Sequence, residues 1–198
     1  MRLLGVDGYG AVGFWCQRFD DGNDPRQLII NGNIGSAVLI DQNTESTTLR
    51  ITSLDQAPPA PLPLTVLLAL PRPKVLRRTL QALTELGVKD IVLLNSWRVE
   101  KSYWQSPLLS DAAIHETLLT GLTQAKDTAL PVISFAKRFK PFVEDQLPTL
   151  CKNKRCWLAH PHLEPSPIEK NTREGILAIG PEGGFTPYEA EKLGEAGF

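Results

Sequence analysis

The chain reads as an α/β protein: a parallel sheet covered by helices, preceded by a small β module. Three observations predict this. After residue 63, short apolar runs alternate with helical patterns, as strand–helix–strand units require. Ala57-Pro-Pro-Ala-Pro-Leu-Pro63 is a stiff proline-rich stretch that separates this region from a β-type N-terminal part. Ile176–Ile179 is a short apolar run that ends in Gly180-Pro-Glu-Gly-Gly184, and a helix start follows at once. The reading divides the chain into a β module over 1–56, a linker over 57–63 and an α/β domain over 64–198.

In the first part, Gln27–Ile30, Ala37–Ile40 and Thr47–Ile51 are strand candidates, with Asn31-Gly32 and Asn33 as turn residues. The first two dozen residues carry little pattern. Beyond the linker, Leu64–Leu70 reads as a strand. Pro73–Leu86 reads as a helix with Leu76, Leu80 and Leu83 on one face and Gly87 as its stop. Ile91–Leu94 is a strand. Ser110 caps a helix to about Lys126, with Ile114, Leu118, Leu122 and Ala125 as its apolar face. Val132–Phe135 is a strand, Phe142–Leu147 a short helix, and Cys156–Ala159 and Ile176–Ile179 are strands. Thr186 is placed as an N-cap, Pro187 as the first helical residue, and Glu189 where a capping box needs it.

Composition narrows the function classes. Of 198 residues, 42% are hydrophobic and 22% charged, ordinary for a soluble globular protein. No run reaches membrane-spanning length, and Met1-Arg2 followed by Gly5 and Asp7 lacks a signal-peptide layout. With three cysteines, the expectation is a reduced, cytoplasmic protein with no membrane contact. Charge is uneven. Residues 61–155 carry 14 basic and 8 acidic side chains, +6, while the flanking parts are −3 and −4. A basic middle suits a localised anionic partner, though a solvated mixed surface fits charge alone equally well.

Two loops combine cations with flat rings. Trp97-Arg-Val-Glu-Lys-Ser-Tyr-Trp104 and Ala136-Lys-Arg-Phe-Lys-Pro-Phe142 each follow a strand candidate. Cations hold phosphates and aromatic rings stack on bases, so the pattern suits single-stranded RNA. The glycines of Gly180–Gly184 let a ligand approach bare backbone, at the strand end where open α/β sheets bind ligands. A ligand-free tight connection is the alternative. Cys151, Cys156, His160 and His162 lack the spacing of paired zinc ligands, so no metal site is expected. His115 and Cys16 have no evident partner, and Arg77 and Arg78 read as exposed helix charges. The residues name no general base.

Taken together, Leu68-Ala-Leu-Pro-Arg-Pro-Lys74, Thr84-Glu-Leu-Gly-Val88, Arg98–Ser102, Leu119–Gln124 and Leu177–Phe185 with Glu189 carry a resemblance. In order over about residues 62–198, the chain resembles the RsmE family of 16S rRNA (uracil-N3)-methyltransferases, of the SPOUT or α/β-knot superfamily. Val99–Trp104 and Arg138–Asp145 are similar to one proteobacterial branch of it.

The resemblance implies a SPOUT methyltransferase domain behind a small PUA-like β-barrel, acting as a homodimer on the small ribosomal subunit. It implies S-adenosylmethionine as cofactor, held by Ile179, Gly180, Glu182, Gly183 and Gly184, with Leu158 and His160 as a second wall. Arg98, Lys101 and Arg138 are the expected RNA contacts. The chain departs from the family at three places. It stops at Gly197-Phe198, before the segment that carries Leu-Gly-x-Arg-Ile-Leu-Arg-x-Glu-Thr-Ala and threads the knot. It lacks a His-x-x-x-Val-Leu-Arg-type N-terminal segment, and it has Ala82 where much of the family has Lys. The expectation is therefore a C-terminally shortened domain with an incomplete barrel. The rival readings are a non-catalytic RNA-binding protein of the same fold and an unrelated α/β enzyme holding a phosphate at Gly180–Gly184.

Overall fold

The computed structural model describes residues 12–14, 26–42, 47–160 and 174–198. Two sheets organise them. The first is antiparallel, in the order β1 (Val12–Phe14), β2 (Arg26–Ile29), β3 (Ile34–Gln42), β4 (Thr47–Gln56). Asn31 takes a left-handed φ of +57° between β2 and β3, the conformation that Asn tolerates in tight turns. The strands β3 and β4 run longer than their apolar runs. A strand with polar residues on one face keeps pairing after the hydrophobic signal has ended.

The second sheet is five-stranded and wholly parallel, in the order β7-β6-β5-β9-β8. Its strands are β5 (Leu62–Ala69), β6 (Val88–Leu94), β7 (Val132–Ala136), β8 (Arg155–Ala159) and β9 (Gly175–Ile179). Each includes the expected core residues, and β5 and β6 begin two or three residues earlier than expected. Val66, Leu67, Leu68 and Ala69 in the central strand are all 4% exposed or less. Successive strand residues face opposite sides, so both faces of the sheet are covered.

The helices are α1 (Pro73–Glu85), α2 (Asp111–Ala125), α3 (Phe139–Pro141), α4 (Leu147–Cys151) and α5 (Pro187–Glu195). In α1, Leu76, Leu80 and Leu83 repeat at helical spacing and are buried, each worth about 1.5–3 kcal/mol. Gly87 ends that turn at φ +83°. Ser110 Oγ accepts the Ala113 N–H and caps α2, whose C-terminus closes on Lys126 in the left-handed region. A π-helical turn, Phe142–Gln146, joins α3 to α4, so the short helix expected over 142–147 is part of a longer helical run. Two 3-10 turns, Lys101–Gln105 and Pro107–Leu109, occupy what the sequence leaves as loop.

The helices α1 and α2 pack closely through Gly121. A Cβ there would lie 2.7 Å from Thr84 Cβ and 2.8 Å from the Gln81 carbonyl oxygen. Thr84 is fully buried and its hydroxyl donates to the Leu80 carbonyl, so it cannot yield. Gly121→Ala is expected to cost about 1–3 kcal/mol of stability by overpacking, read as a lower urea midpoint at unchanged m-value.

Hydrogen bonds at the β2–β3 turn tie the two sheets together. The Asn31 backbone N–H donates to the Thr128 carbonyl at 2.8 Å, and the Leu130 N–H donates to Asn31 Oδ1 at 2.9 Å. The Thr128 hydroxyl donates to the Gly32 carbonyl at 2.5 Å. The turn asparagine read only as a hairpin residue therefore also links the sheets. Among the described residues no helix is long and apolar enough to cross a membrane.

Candidate active site

The strand order places a crevice. From β5 the chain moves outward to β6 and β7, then jumps to β8 at the far edge and returns inward to β9. The direction of winding reverses between β5 and β9, and ligands bind outside the carboxyl ends of strands at such a point. Arg72 follows β5 there, and Gly180–Gly184 follows β9.

Side chains brace the glycine loop from several sides. The Arg72 Nε donates to Glu182 Oε1 at 3.0 Å, and the Arg72 backbone N–H reaches the same oxygen at 3.4 Å. The Glu182 backbone N–H holds the Glu182 carboxyl below the usual carboxylate range; burial pushes the other way, and the Arg72 side chain, backbone N–H and charge add to the lowering. The Arg98 guanidinium donates through Nη1 to the Gly183 carbonyl. Within the loop, the Gly184 N–H donates to the Pro181 carbonyl at 2.7 Å, and Gly184 has φ +72°. That value favours glycine.

Glu189 joins the loops after β6 and β9. It is 3% exposed. Its Oε2 accepts the Thr186 N–H and hydroxyl, each at 2.9 Å, while Thr186 Oγ accepts the Glu189 N–H at 3.3 Å. This is the expected capping box. Its Oε1 accepts the Trp97 N–H at 2.7 Å, a contact the sequence did not suggest. The Trp97 backbone is thus fixed while its side chain stands 85% exposed.

Of the expected cofactor residues, Gly180, Glu182, Gly183 and Gly184 share this loop, Ile179 ends β9 just before it, and Leu158 pairs with Ala178 in the adjacent strand. His160, one residue past β8, has Nε2 3.4 Å from the carbonyl oxygen of Phe185. Phe185 is 2% exposed and packs against Phe139 with ring centroids 6.5 Å apart. Of the expected RNA contacts, Arg98, Lys101 and Arg138 are all exposed and follow the adjacent strands β6 and β7. Arg98 has a second role in bracing Gly183. Sequence reasoning missed Arg72 as a brace, although its position directly after the central strand was the available signal. Among the described residues no group of three metal-ligating side chains forms, and His115, Arg77 and Arg78 are exposed. His162 and Cys16 lie outside the described residues.

The acid response of the loop follows from Glu182. A carboxyl held low stabilises the folded loop fully above the ordinary carboxylate range and loses that contribution as pH falls through its depressed value. A carbon-detected NMR titration is expected to find Glu182 titrating below an ordinary glutamate. Arg72→Ala is expected to move it upward. An unshifted midpoint in both proteins contradicts the brace.

A parallel sheet with a braced glycine loop at its switch point has the arrangement at which open α/β sheets bind ligands. Residues 58–198 match the family model described as an RNA methyltransferase domain, and the chain belongs to that family. Ribosomal RNA small subunit methyltransferase E of Treponema pallidum (strain Nichols) is 33% identical over 114 residues, 58% of this chain and 43% of that protein. Ribosomal RNA small subunit methyltransferase E 1 of Borreliella burgdorferi is 28% identical over 134 residues, 67% and 56% of the two chains. The chain thus spans about half the length of the curated relatives it matches.

Solved structures are similar in fold. A ribosomal RNA small subunit methyltransferase E from Neisseria gonorrhoeae bound to S-adenosyl methionine has a TM-score of 0.66 at 19% identity, covering 89% of this chain and 73% of that one. A methyltransferase from Legionella pneumophila, solved in complex with its bound cofactor SAM, also has a TM-score of 0.66 at 19% identity. There the coverage is 98% of this chain and 84% of that one.

Proposed function

We propose that this chain carries the methyl-transferring part of an enzyme that methylates N3 of a uridine in 16S rRNA from S-adenosylmethionine. The observation that carries the reading is the braced Gly180–Gly184 loop at the switch point of a chain whose residues 58–198 match an RNA methyltransferase domain. The residues fit the cofactor. A Cβ at Gly180 would lie 3.1 Å from the Phe185 nitrogen, and one at Gly183 would lie 3.1 Å from Arg98 Cδ. The loop therefore offers backbone and not side chain to what lies above it. Leu158, His160, Ile179, Gly180, Glu182, Gly183 and Gly184 would hold the cofactor. When bound, it supplies a methyl group on a sulfonium, electrophilic without a metal.

The chain's own residues have two further tasks. They must hold uracil N3 in line with the methyl, which favours a rigid crevice over a mobile loop. They must also favour the N3-deprotonated base, whose charge lies partly on the uracil oxygens. Arg98 spends one N–H on Gly183, and the rest of its fork faces outward for a phosphate or that oxyanion. Lys101 and Arg138 hold the backbone of a splayed-out strand. The N-terminal module over 1–56, PUA-like by resemblance, steadies the RNA. The Pro-rich segment over 57–63 spaces it from the transferase domain over 64–198. The enzyme works as a cytoplasmic homodimer, a further part of the reading that rests on the resemblance.

The test is methyl transfer from labelled S-adenosylmethionine to small subunits or 16S rRNA lacking N3-methyluridine. Label is expected at N3 of a single uridine, located by nuclease digestion and mass spectrometry. Lys101→Ala is expected to lower kcat/KM about tenfold, roughly 1.4 kcal/mol, with cofactor affinity unchanged. Unlabelled RNA in the presence of bound cofactor contradicts the reading. A wild-type rate in Lys101→Ala removes that residue from it.

A further inference from the structure

Beside the crevice, at the outer edge of the parallel sheet, lies an open cavity of about 290 Å³. Trp104 and Phe135 form its apolar walls, Ser106 and Ser110 add hydroxyls, and Lys137 is its cation. The Trp104 and Phe135 rings meet edge to face, with centroids 6.4 Å apart and planes at 62°. Trp104 is held in place. Its Nε1–H donates to Asn95 Oδ1 at 2.8 Å, and the Asn95 N–H donates to the Ala136 carbonyl at 2.8 Å. The only polar atom of the indole is therefore satisfied, and what it offers the cavity is carbon surface. Phe135 lies on the edge strand and is 41% exposed, so its ring is open to a flat ligand.

The polar groups complement a base. Ser106 Oγ accepts the Leu108 N–H and Ser110 Oγ accepts the Ala113 N–H, each at 3.3 Å. Each hydroxyl keeps its hydrogen for an acceptor such as a base carbonyl. The exposed Lys137 ammonium suits a phosphate. The position also fits a strand of RNA. The cavity sits at the end of β7, and β7 lies three strand spacings, about 14 Å, from β9 across the sheet. Between the two, the loop after β6 carries exposed Lys101 and Arg98, the latter reaching the glycine loop through Gly183, and exposed Arg138 follows Lys137 in the chain.

We propose that this cavity binds an unpaired nucleotide flanking the target uridine, its base against Trp104 and Phe135 and its phosphate on Lys137. The proposal rests on the RNA-methyltransferase reading and adds a subsite to it, one that fixes how the strand runs across the sheet. Stacking on an aromatic side chain contributes about 1–3 kcal/mol per base, so the subsite would supply a measurable share of RNA affinity.

The test uses a fluorescein-labelled oligouridylate followed by anisotropy, with S-adenosylmethionine affinity measured in parallel on each variant. Phe135→Leu keeps an apolar side chain on an exposed strand position and removes the π-face. It is expected to weaken RNA binding between about fivefold and a hundredfold, with cofactor affinity unchanged. Lys137→Ala is expected to weaken binding and lower the slope of log affinity against log salt by about 0.7. A 5-bromouridine oligomer is expected to photocrosslink to peptides containing Trp104 or Phe135. Wild-type RNA affinity in Phe135→Leu, with no crosslink there, overturns the subsite and leaves the methyltransferase reading intact. Saturable binding of uridine monophosphate with no gain from the oligomer makes the cavity a free-nucleotide site and overturns the RNA assignment. No RNA binding by the wild-type protein contradicts the methyltransferase reading, and the subsite with it.

Discussion

Glu189→Ala is expected to destabilise the protein by about 2–4 kcal/mol, a loss of roughly 5–15 °C in Tm. The carboxylate is 3% exposed and accepts three hydrogen bonds, from the Trp97 N–H, the Thr186 N–H and the Thr186 hydroxyl. Truncation orphans all three donors and removes the carboxylate half of the α5 capping box, while the Thr186 Oγ cap on the Glu189 backbone N–H stays in place. Glu189→Gln preserves shape but turns an NH2 group toward donors, so an intermediate loss is expected. The functional effect should exceed the thermal one, because Glu189 bonds the loop carrying Arg98 to the helix that follows the glycine loop. Differential scanning calorimetry with a parallel cofactor titration separates the two. An unchanged Tm in Glu189→Ala contradicts the clamp.

Gly180 and Gly183 should respond differently to added side chains, and the difference tests what the loop is for. At Gly180 a Cβ would lie 3.1 Å from the Phe185 nitrogen and 3.2 Å from Phe185 Cδ2. Phe185 is buried and cannot move aside, so Gly180→Ala is expected to cost about 1–3 kcal/mol and to displace the loop. At Gly183 the nearest neighbour is Arg98 Cδ at 3.1 Å, part of a flexible exposed side chain. Gly183→Val is expected to fold within about 1 kcal/mol of wild type while losing at least about tenfold in cofactor affinity. The branched side chain stands on the open loop and dislodges the Arg98 brace. Equal cofactor affinity in folded Gly183→Val would remove the loop from the binding site.

Much of the architecture was legible because it follows from local pattern. Leu76, Leu80 and Leu83 announce α1, and the unbroken Val66–Ala69 run announces a strand buried on both faces. Thr186, Pro187 and Glu189 announce the start of α5 down to its capping box. The glycine loop was legible for the same reason, since three glycines and a proline after a strand shape the backbone whatever lies around them. The braces were less legible. Arg72 meets Glu182 across 110 residues, and Trp97 meets Glu189 across 92, pairings that exist only once β5, β6 and β9 are laid side by side. Asn31 read as a turn residue because its link to Thr128 and Leu130 is equally non-local. The π-helical turn at Phe142–Gln146 and the 3-10 turns around Trp104 also escaped notice, because they lack the 3.6-residue periodicity by which helices are read.

If the Gly180–Gly184 loop, braced by Arg72, Arg98 and Glu189, is a cofactor cradle, calorimetric titration of S-adenosylmethionine into the 198-residue chain will show it. Saturable binding at one site per chain is expected, lost in Gly183→Val while that variant remains folded. Absence of binding by the folded wild-type chain, or equal binding by both proteins, would contradict it.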